Sequence, residues 1–271
     1  MPIVKKQTFK KSKSSNVLSR IAPVTLGTDG TKINVYGRSG TGKTTFACTF
    51  PKPLLIIGAE DGTRSVHNVS GVKFVKINDS SEVGIVVRDA AETGRWKTVV
   101  LDSASSLQDL ILKEILGLDE VPVQKSWGLA SRDQYGQCGI QTKEHLRALL
   151  SLSCNVVIIA QEREFNTENE SDLLMPFVGS AMTPSVVGWF NPLCDYIVQS
   201  FIREQLVEKI VKLGGKAIKK QQKSGSVEYC IRTAPDPVYT TKFRVPKGTE
   251  LPAAIVDPDY EKVLELIQGG L

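Results

Sequence analysis

The chain has 271 residues, 41% hydrophobic and 23% charged, with a formal net charge of +5. That composition suits one globular α/β domain with appendages and a sizeable core, rather than two full domains. No apolar run approaches the roughly 18 residues that span a bilayer, and the N-terminus lacks the apolar stretch of a secretory signal, so a soluble, cytoplasmic protein with no membrane partner is expected.

Residues 1–22 read as a flexible basic leader: Lys5, Lys6, Lys10, Lys11, Lys13 and Arg20 with no acid among them. Such a leader could neutralise nucleic-acid phosphates or simply be a solvated tail. The main domain is expected over residues 23–250. It opens with a short buried strand, Lys32 to Tyr36, followed by Gly37, Arg38, Ser39, Gly40, Thr41, Gly42, Lys43 and Thr44. This stretch fits the phosphate-binding pattern G-x-x-x-x-G-K-[ST] at every fixed position, and a helix is expected from Thr44 to Phe50. Glycines let backbone N–H groups turn inward around phosphates, and a helix start adds partial positive charge. Lys43 is placed to reach the β/γ-phosphates, Thr44 to ligate Mg²⁺ and Thr45 to approach the α-phosphate. ATP and Mg²⁺ are the expected cofactors.

Pro53 to Gly58 is a continuous apolar run, as in a strand buried on both faces, and Gly71 to Ile77 alternates like an edge strand. Lys97 to Leu101 is another buried strand, and it ends in Asp102. Behind a phosphate loop such a carboxylate holds Mg²⁺, though a buried strand also ends in Asp as a turn residue or helix cap. Ser103 follows, and a hydroxyl cannot act as a base at neutral pH. Glu60 lies at the end of the Leu54–Ile57 strand, and Gln161 at the end of the strand Asn155 to Ala160. In an open α/β sheet, ligands gather at that end of the strands.

Helical patterns cover Ser105 to Leu116 and Gly139 to Ser151, so strands alternate with helices and a mostly parallel, helix-flanked sheet follows. Residues 195–203 and 227–233 read as later strands with no helix between them, so the far end is expected to turn antiparallel. Between them lie Lys209, Lys212, Lys216, Lys219, Lys220 and Lys223, a nucleic-acid contact or a solvated hairpin. Residues 251–271 read as an extension with a short helix, Tyr260 to Ile267, outside the core. Cys48, Cys138, Cys154, Cys194 and Cys230 have no C-x-x-C spacing, and with His67 and His145 the only histidines no metal beyond the nucleotide's Mg²⁺ is expected.

The phosphate loop, A-E-D-G at Ala59 to Gly62, V-V-L-D at Val99 to Asp102 and I-I-A-Q at Ile158 to Gln161 occur in the order and rough spacing of the RecA-like ATPase core. The chain resembles the phage-encoded RecA-like ATPases of single-strand annealing and recombination, strongly over 31–104 and less so over 139–203. That resemblance implies a RecA-like α/β fold, a homo-oligomeric ring or filament, single-stranded DNA as partner with a single-strand-binding protein as a further one, and a host-cell cytoplasmic setting. It makes Glu60 the base orienting the attacking water and Gln161 the sensor of the γ-phosphate. Lys242 and Arg244 would be the basic pair that completes a neighbouring subunit's site. The segments expected to line a DNA channel are Val121 to Gln137, with Lys125, Trp127, Arg132 and Tyr135, and Glu162 to Trp189, with Arg163 and Phe165. Cations mixed with aromatics suit phosphates and unstacked bases, although such rings also pack on cores. Glu168, Glu170 and Asp172 depart from a phosphate-tracking loop. A ring helicase or packaging motor, and a DNA-independent nucleotide switch or kinase, remain alternatives. No N-K-x-D guanine motif is present.

Overall fold

The computed structural model describes residues 30–60, 62, 66–118, 130–165, 177–213 and 216–269, without the side chains of 208–213 and 216–222. The basic leader, Lys125, Trp127 and the acidic run Glu168 to Asp172 lie outside the described residues.

Among the described residues ten strands form the sheet: β1 (Lys32–Gly37), β2 (Leu54–Gly58), β3 (Val72–Lys76), β4 (Thr98–Asp102), β5 (Asn155–Phe165), β6 (Phe177–Ser180), β7 (Tyr196–Leu213), β8 (Lys216–Arg232), β9 (Lys242–Phe243) and β10 (Ala254–Val256). Their order is β10-β8-β7-β1-β5-β4-β2-β3, with β6 beside β5 and β9 beside β7. From β7 through β3 the pairings are parallel, and β7 with β8 and β8 with β10 are antiparallel. The fold is thus the α/β arrangement expected, a mostly parallel sheet flanked by helices. The β2, β4 and core β5 segments are mostly apolar on both faces because both faces are covered, whereas β1 is buried on both faces but sets Asn34 opposite Ile33 and Val35, its amide donating to Ser180 Oγ at 2.9 Å.

One face carries α2 (Ser81–Thr93), α3 (Ala104–Leu116), α4 (Arg132–Leu150) and α5 (Pro184–Phe190), packed on Tyr36, Ile57, Leu101 and Ile158. The other carries α1 (Lys43–Ala47) and α6 (Tyr260–Gln268), packed on Ile33, Val35, Ile56 and Val157. Four of the five cysteines are buried and none is in a disulfide. Among the described residues, no helix is long and apolar enough to cross a membrane.

Several elements differ from the sequence expectation. The phosphate-loop helix is regular only from Lys43 to Ala47. Strand β5 continues past Ala160 to Phe165, and its last four residues pair antiparallel with β6. The stretch Glu162 to Trp189, expected to line a DNA channel, therefore contains β6 and most of α5, with Val186 and Val187 buried. Arg132 and Tyr135 lie on α4, not in a loop, because Ser131 and Gln134 form a capping box that starts the helix there. Helix α2 was not evident in the sequence: Gly84 and the consecutive Ile85-Val86-Val87 blur its periodicity.

The C-terminal helix, expected outside the core, is part of it. Asp259 caps α6 by accepting from the Lys262 N–H at 2.8 Å. Val263, Leu266 and Ile267 fall on one face at helical spacing and are buried against Phe46, Phe50 and Ile255. The Tyr260 ring lies 4.8 Å from that of Phe50. Leu266 is fully buried, so Leu266→Ala is expected to destabilise the protein by about 2–5 kcal/mol, read by denaturant unfolding. An unchanged midpoint would mean that α6 contributes nothing to the folded unit.

Candidate functional site

The site begins with β1, which delivers Gly37 to the sheet's C-terminal end between β5 and β7, where it pairs with Gln161 and Ser200. No side chain fits at Gly37, since a Cβ would lie 2.2 Å from the Ser200 carbonyl oxygen. Gly40 and Gly42 adopt φ of 81° and 86°, which side-chain-bearing residues rarely take. Thr41 Oγ1 donates to the Arg38 carbonyl at 2.9 Å, and Ser200 Oγ donates to the Thr41 carbonyl at 2.7 Å. The loop is thereby pinned from inside and from β7.

Lys43, 7% exposed, donates its ammonium protons to the carbonyls of Gly37 and Arg38 at 2.8 and 2.7 Å and approaches Gln161 Oε1 at 3.4 Å. Burial lowers its pKa, with Asp102 and Glu162 opposing the shift. Thr44 Oγ1 donates to Asp102 Oδ2 at 2.7 Å. Burial raises the Asp102 pKa, opposed by the Thr44 hydrogen bond and the Lys43 charge and assisted by Glu60. Ser103, the residue after this carboxylate, caps α3 by accepting from the Ser106 N–H.

These groups line one cavity of about 750 Å³, together with Ser39 to Phe46, Glu60 and Gln161. Thr45 is exposed to it, and so is Glu60. Arg38 lies outside it, pairing with Glu162 at 3.3 Å while its side chain is 85% exposed. A glycine loop turned by Gly40 and Gly42, with an ammonium and hydroxyls in the same cavity, fits a polyphosphate. The Thr44 hydroxyl beside the Asp102 carboxylate is a pair of hard oxygen donors of the kind Mg²⁺ takes with phosphates.

Gln161 also borders a second cavity of about 510 Å³ on the α3–α4 side, with Asp109, Tyr135, Cys138 and Arg163 in its wall. The Gln161 N–H donates to Ser105 Oγ at 3.0 Å, and its carbonyl accepts from the Ala181 N–H at 2.7 Å. Of the residues expected to meet DNA, Tyr135 and Arg163 thus face a common cavity, and Arg132 is exposed one turn earlier on α4. Phe165 is different: it is buried and its ring stacks on Phe177 at 4.8 Å, so it packs the β5–β6 hairpin and offers no open face to a base.

Lys242 and Arg244 stand far from their own chain's phosphate loop. Strand β9 pairs with Tyr196 and Ile197 at the start of β7, whereas the loop lies level with Ser200. Lys242 donates to the carbonyls of Asn191, Pro192 and Cys194 at 3.3, 2.9 and 2.6 Å, and Arg244 pairs with Asp195 at 2.7 Å.

Wall residues missed in the sequence include Ser106, within the α3 pattern, and, remote from every motif, Tyr229, Asp257 and Pro258. No local motif marks these last three. They reach the cavity only through the β7–β8 and β8–β10 registers, which join segments remote in sequence.

Fold and site together define a P-loop NTPase domain. The family described as an AAA domain matches residues 29–245, and the chain belongs to it. Among solved structures, a RadB recombinase is similar at 15% identity and a TM-score of 0.39, over 74% of this chain and 86% of that one. No curated protein matches the chain.

Because burial raises the Asp102 value in the folded protein above its unfolded one, the ionised carboxylate costs stability at neutral pH, a cost relieved as pH falls through the folded value. Asp102→Asn keeps an acceptor for Thr44 and removes the charge. Without nucleotide it should melt above the parent at pH 7, with the margin narrowing towards the carboxylate range. A lower melting temperature at pH 7 would mean that the Thr44 and Lys43 interactions outweigh burial.

Proposed function

We propose that the chain is a RecA-like, Mg²⁺-dependent ATPase that acts on single-stranded DNA in phage recombination, promoting strand annealing or pairing as a homo-oligomer. One observation carries the reading: Lys43, Thr44, Glu60, Asp102 and Gln161, drawn from four strand ends, converge on one cavity, and Gln161 is shared with the cavity that holds Tyr135 and Arg163.

In this reading the phosphate loop and Lys43 bind and orient the triphosphate, and Thr44 with Asp102 holds Mg²⁺. The metal neutralises phosphate charge. Glu60, exposed in the cavity, accepts a proton from the attacking water. Gln161 contacts Lys43 on one side and lines the second cavity on the other, so a change at the γ-phosphate is felt where DNA is proposed to lie. Lys242 and Arg244 are proposed to serve a neighbouring copy's site, which requires exchanging their present carbonyl and Asp195 contacts for phosphate.

The strands β7 and β8 add support for a nucleic-acid partner. From Phe201 to Leu213 and Lys216 to Tyr229 they pair, among the described residues, only with each other. Between Gln205 and Lys223 the sequence carries six lysines and one acid, Glu208. Positive charge of that density favours a polyanion and makes binding salt-dependent.

Steady-state ATP hydrolysis with and without single-stranded DNA tests the proposal. Turnover should rise with DNA, the rise should fade with salt, and Lys43→Ala should lose about 100-fold or more. Glu60→Gln should still bind ATP while turnover drops by about 10²–10⁴. Hydrolysis indifferent to DNA would contradict a recombination role, directional unwinding would replace pairing with a motor function, and normal turnover in Glu60→Gln would remove Glu60 as the base.

A further inference from the structure

Beyond the phosphate loop, part of the nucleotide cavity's wall is built by residues that hold no phosphate. Tyr229 stands on β8, and Asp257 and Pro258 form the turn between β10 and α6. The two segments are tied together, since the Asp257 N–H donates to the Tyr229 carbonyl at 2.8 Å. Tyr229 is 45% exposed although its chain neighbours Cys230 and Ile231 are fully buried. Its ring lies against the phosphate loop: a Cβ at Gly42 would meet Tyr229 Cδ1 at 3.2 Å. A flat aromatic surface therefore begins where the phosphate cradle ends.

Asp257 adds a second, independent feature. It is the non-glycine residue with positive φ (45°) among the described residues. Such a conformation costs energy and persists when its surroundings hold it. Here the holding groups are visible: its N–H is taken by Tyr229, and its carbonyl accepts from Lys262 Nζ at 2.6 Å. Its carboxylate is exposed, and among the described residues no hydrogen bond or ion pair engages it. By contrast the nearby Asp259 carboxylate is used as the α6 cap. The backbone thus fixes an acceptor-only group at the cavity wall beside an aromatic ring.

We propose that Tyr229 and Asp257 form the nucleoside subsite: the Tyr229 ring stacks on the base, and the Asp257 carboxylate accepts hydrogen bonds from the ribose hydroxyls. The inference rests on the nucleotide-site reading above and assigns the half of the ligand that the sequence motifs leave unassigned. Stacking tolerates any base because every base has a π-face. The ribose diol offers two donors, which an aspartate accepts. Stacking supplies affinity, and the carboxylate discriminates ribonucleotide from 2′-deoxyribonucleotide.

The test measures equilibrium binding of ATP, 2′-deoxy-ATP and inorganic tripolyphosphate to the full chain and to Tyr229→Ala, Tyr229→Phe and Asp257→Gly. Glycine accepts the positive φ, so the last change removes the carboxylate without straining the turn. Tyr229→Ala should weaken ATP about tenfold or more, from the loss of one stacked base, while Tyr229→Phe stays near the parent. The parent should prefer ATP over 2′-deoxy-ATP, and Asp257→Gly should abolish that preference. Tripolyphosphate affinity should be unchanged in all three variants.

Parental ATP affinity in Tyr229→Ala, or an unchanged ribose preference in Asp257→Gly, would overturn the assignment. So would an equal loss of ATP and tripolyphosphate, which would mark a role in holding the loop. If the parent binds neither ATP nor tripolyphosphate, the nucleotide-site reading itself fails and the inference falls with it. Tripolyphosphate binding with no added affinity for ATP keeps the phosphate site and rejects the nucleoside subsite.

Discussion

A buried ammonium beside a half-buried carboxylate is the constraint on which the rest of this structure turns. Burial disfavours the charged form of both Lys43 and Asp102. Neither charge is left bare, since Lys43 is held by two loop carbonyls and Asp102 by the Thr44 hydroxyl. Buried charges persist when paired and hydrogen-bonded, and what they cost in stability can be recovered in binding. The proposed triphosphate with its metal would bring charges that complement both groups.

Holding that pair requires backbone to pass where side chains cannot. Gly37 runs against the Ser200 carbonyl, and Gly40 and Gly42 turn the loop back over Lys43. The sheet order then does the gathering: β5 separates β1 from β4, so Gln161 stands between the phosphate loop and Asp102, and β2 brings Glu60 to the far side. Helix α6 closes the opposite face by packing against α1, with the Tyr260 N–H donating to Thr49 Oγ1 at 2.9 Å. The turn that leads into α6 supplies Asp257, so the chain's last element braces the loop helix and shapes the cavity wall.

What could be read from the sequence was what is local. The phosphate loop, the buried strands β1, β2, β4 and the first half of β5, and the antiparallel turn of the far edge each declare themselves within a few residues. The convergence of Glu60, Asp102 and Gln161 followed because strand ends in such sheets share one side. Contacts set by register over long separations could not be read in this way. Tyr229 meets Gly42 across about two thirds of the chain's length, and α6 gives no sign in its own pattern of which surface it covers. Phe165 illustrates the converse: beside Arg163 it reads as a stacking platform, but its partner Phe177 is brought to it by the β5–β6 pairing. The partners of Lys242 and Arg244 are likewise about 50 residues away and invisible in a K-x-R triplet.

Gln161 is the residue at which the nucleotide and the proposed DNA surfaces meet, and the most direct measurement is the DNA stimulation of ATP turnover in Gln161→Ala. The account predicts that the variant still binds ATP, because Lys43, Thr44 and Asp102 are intact, and that whatever turnover it keeps no longer rises with single-stranded DNA. A variant that responds to single-stranded DNA as the parent does would contradict it and move the coupling to another path.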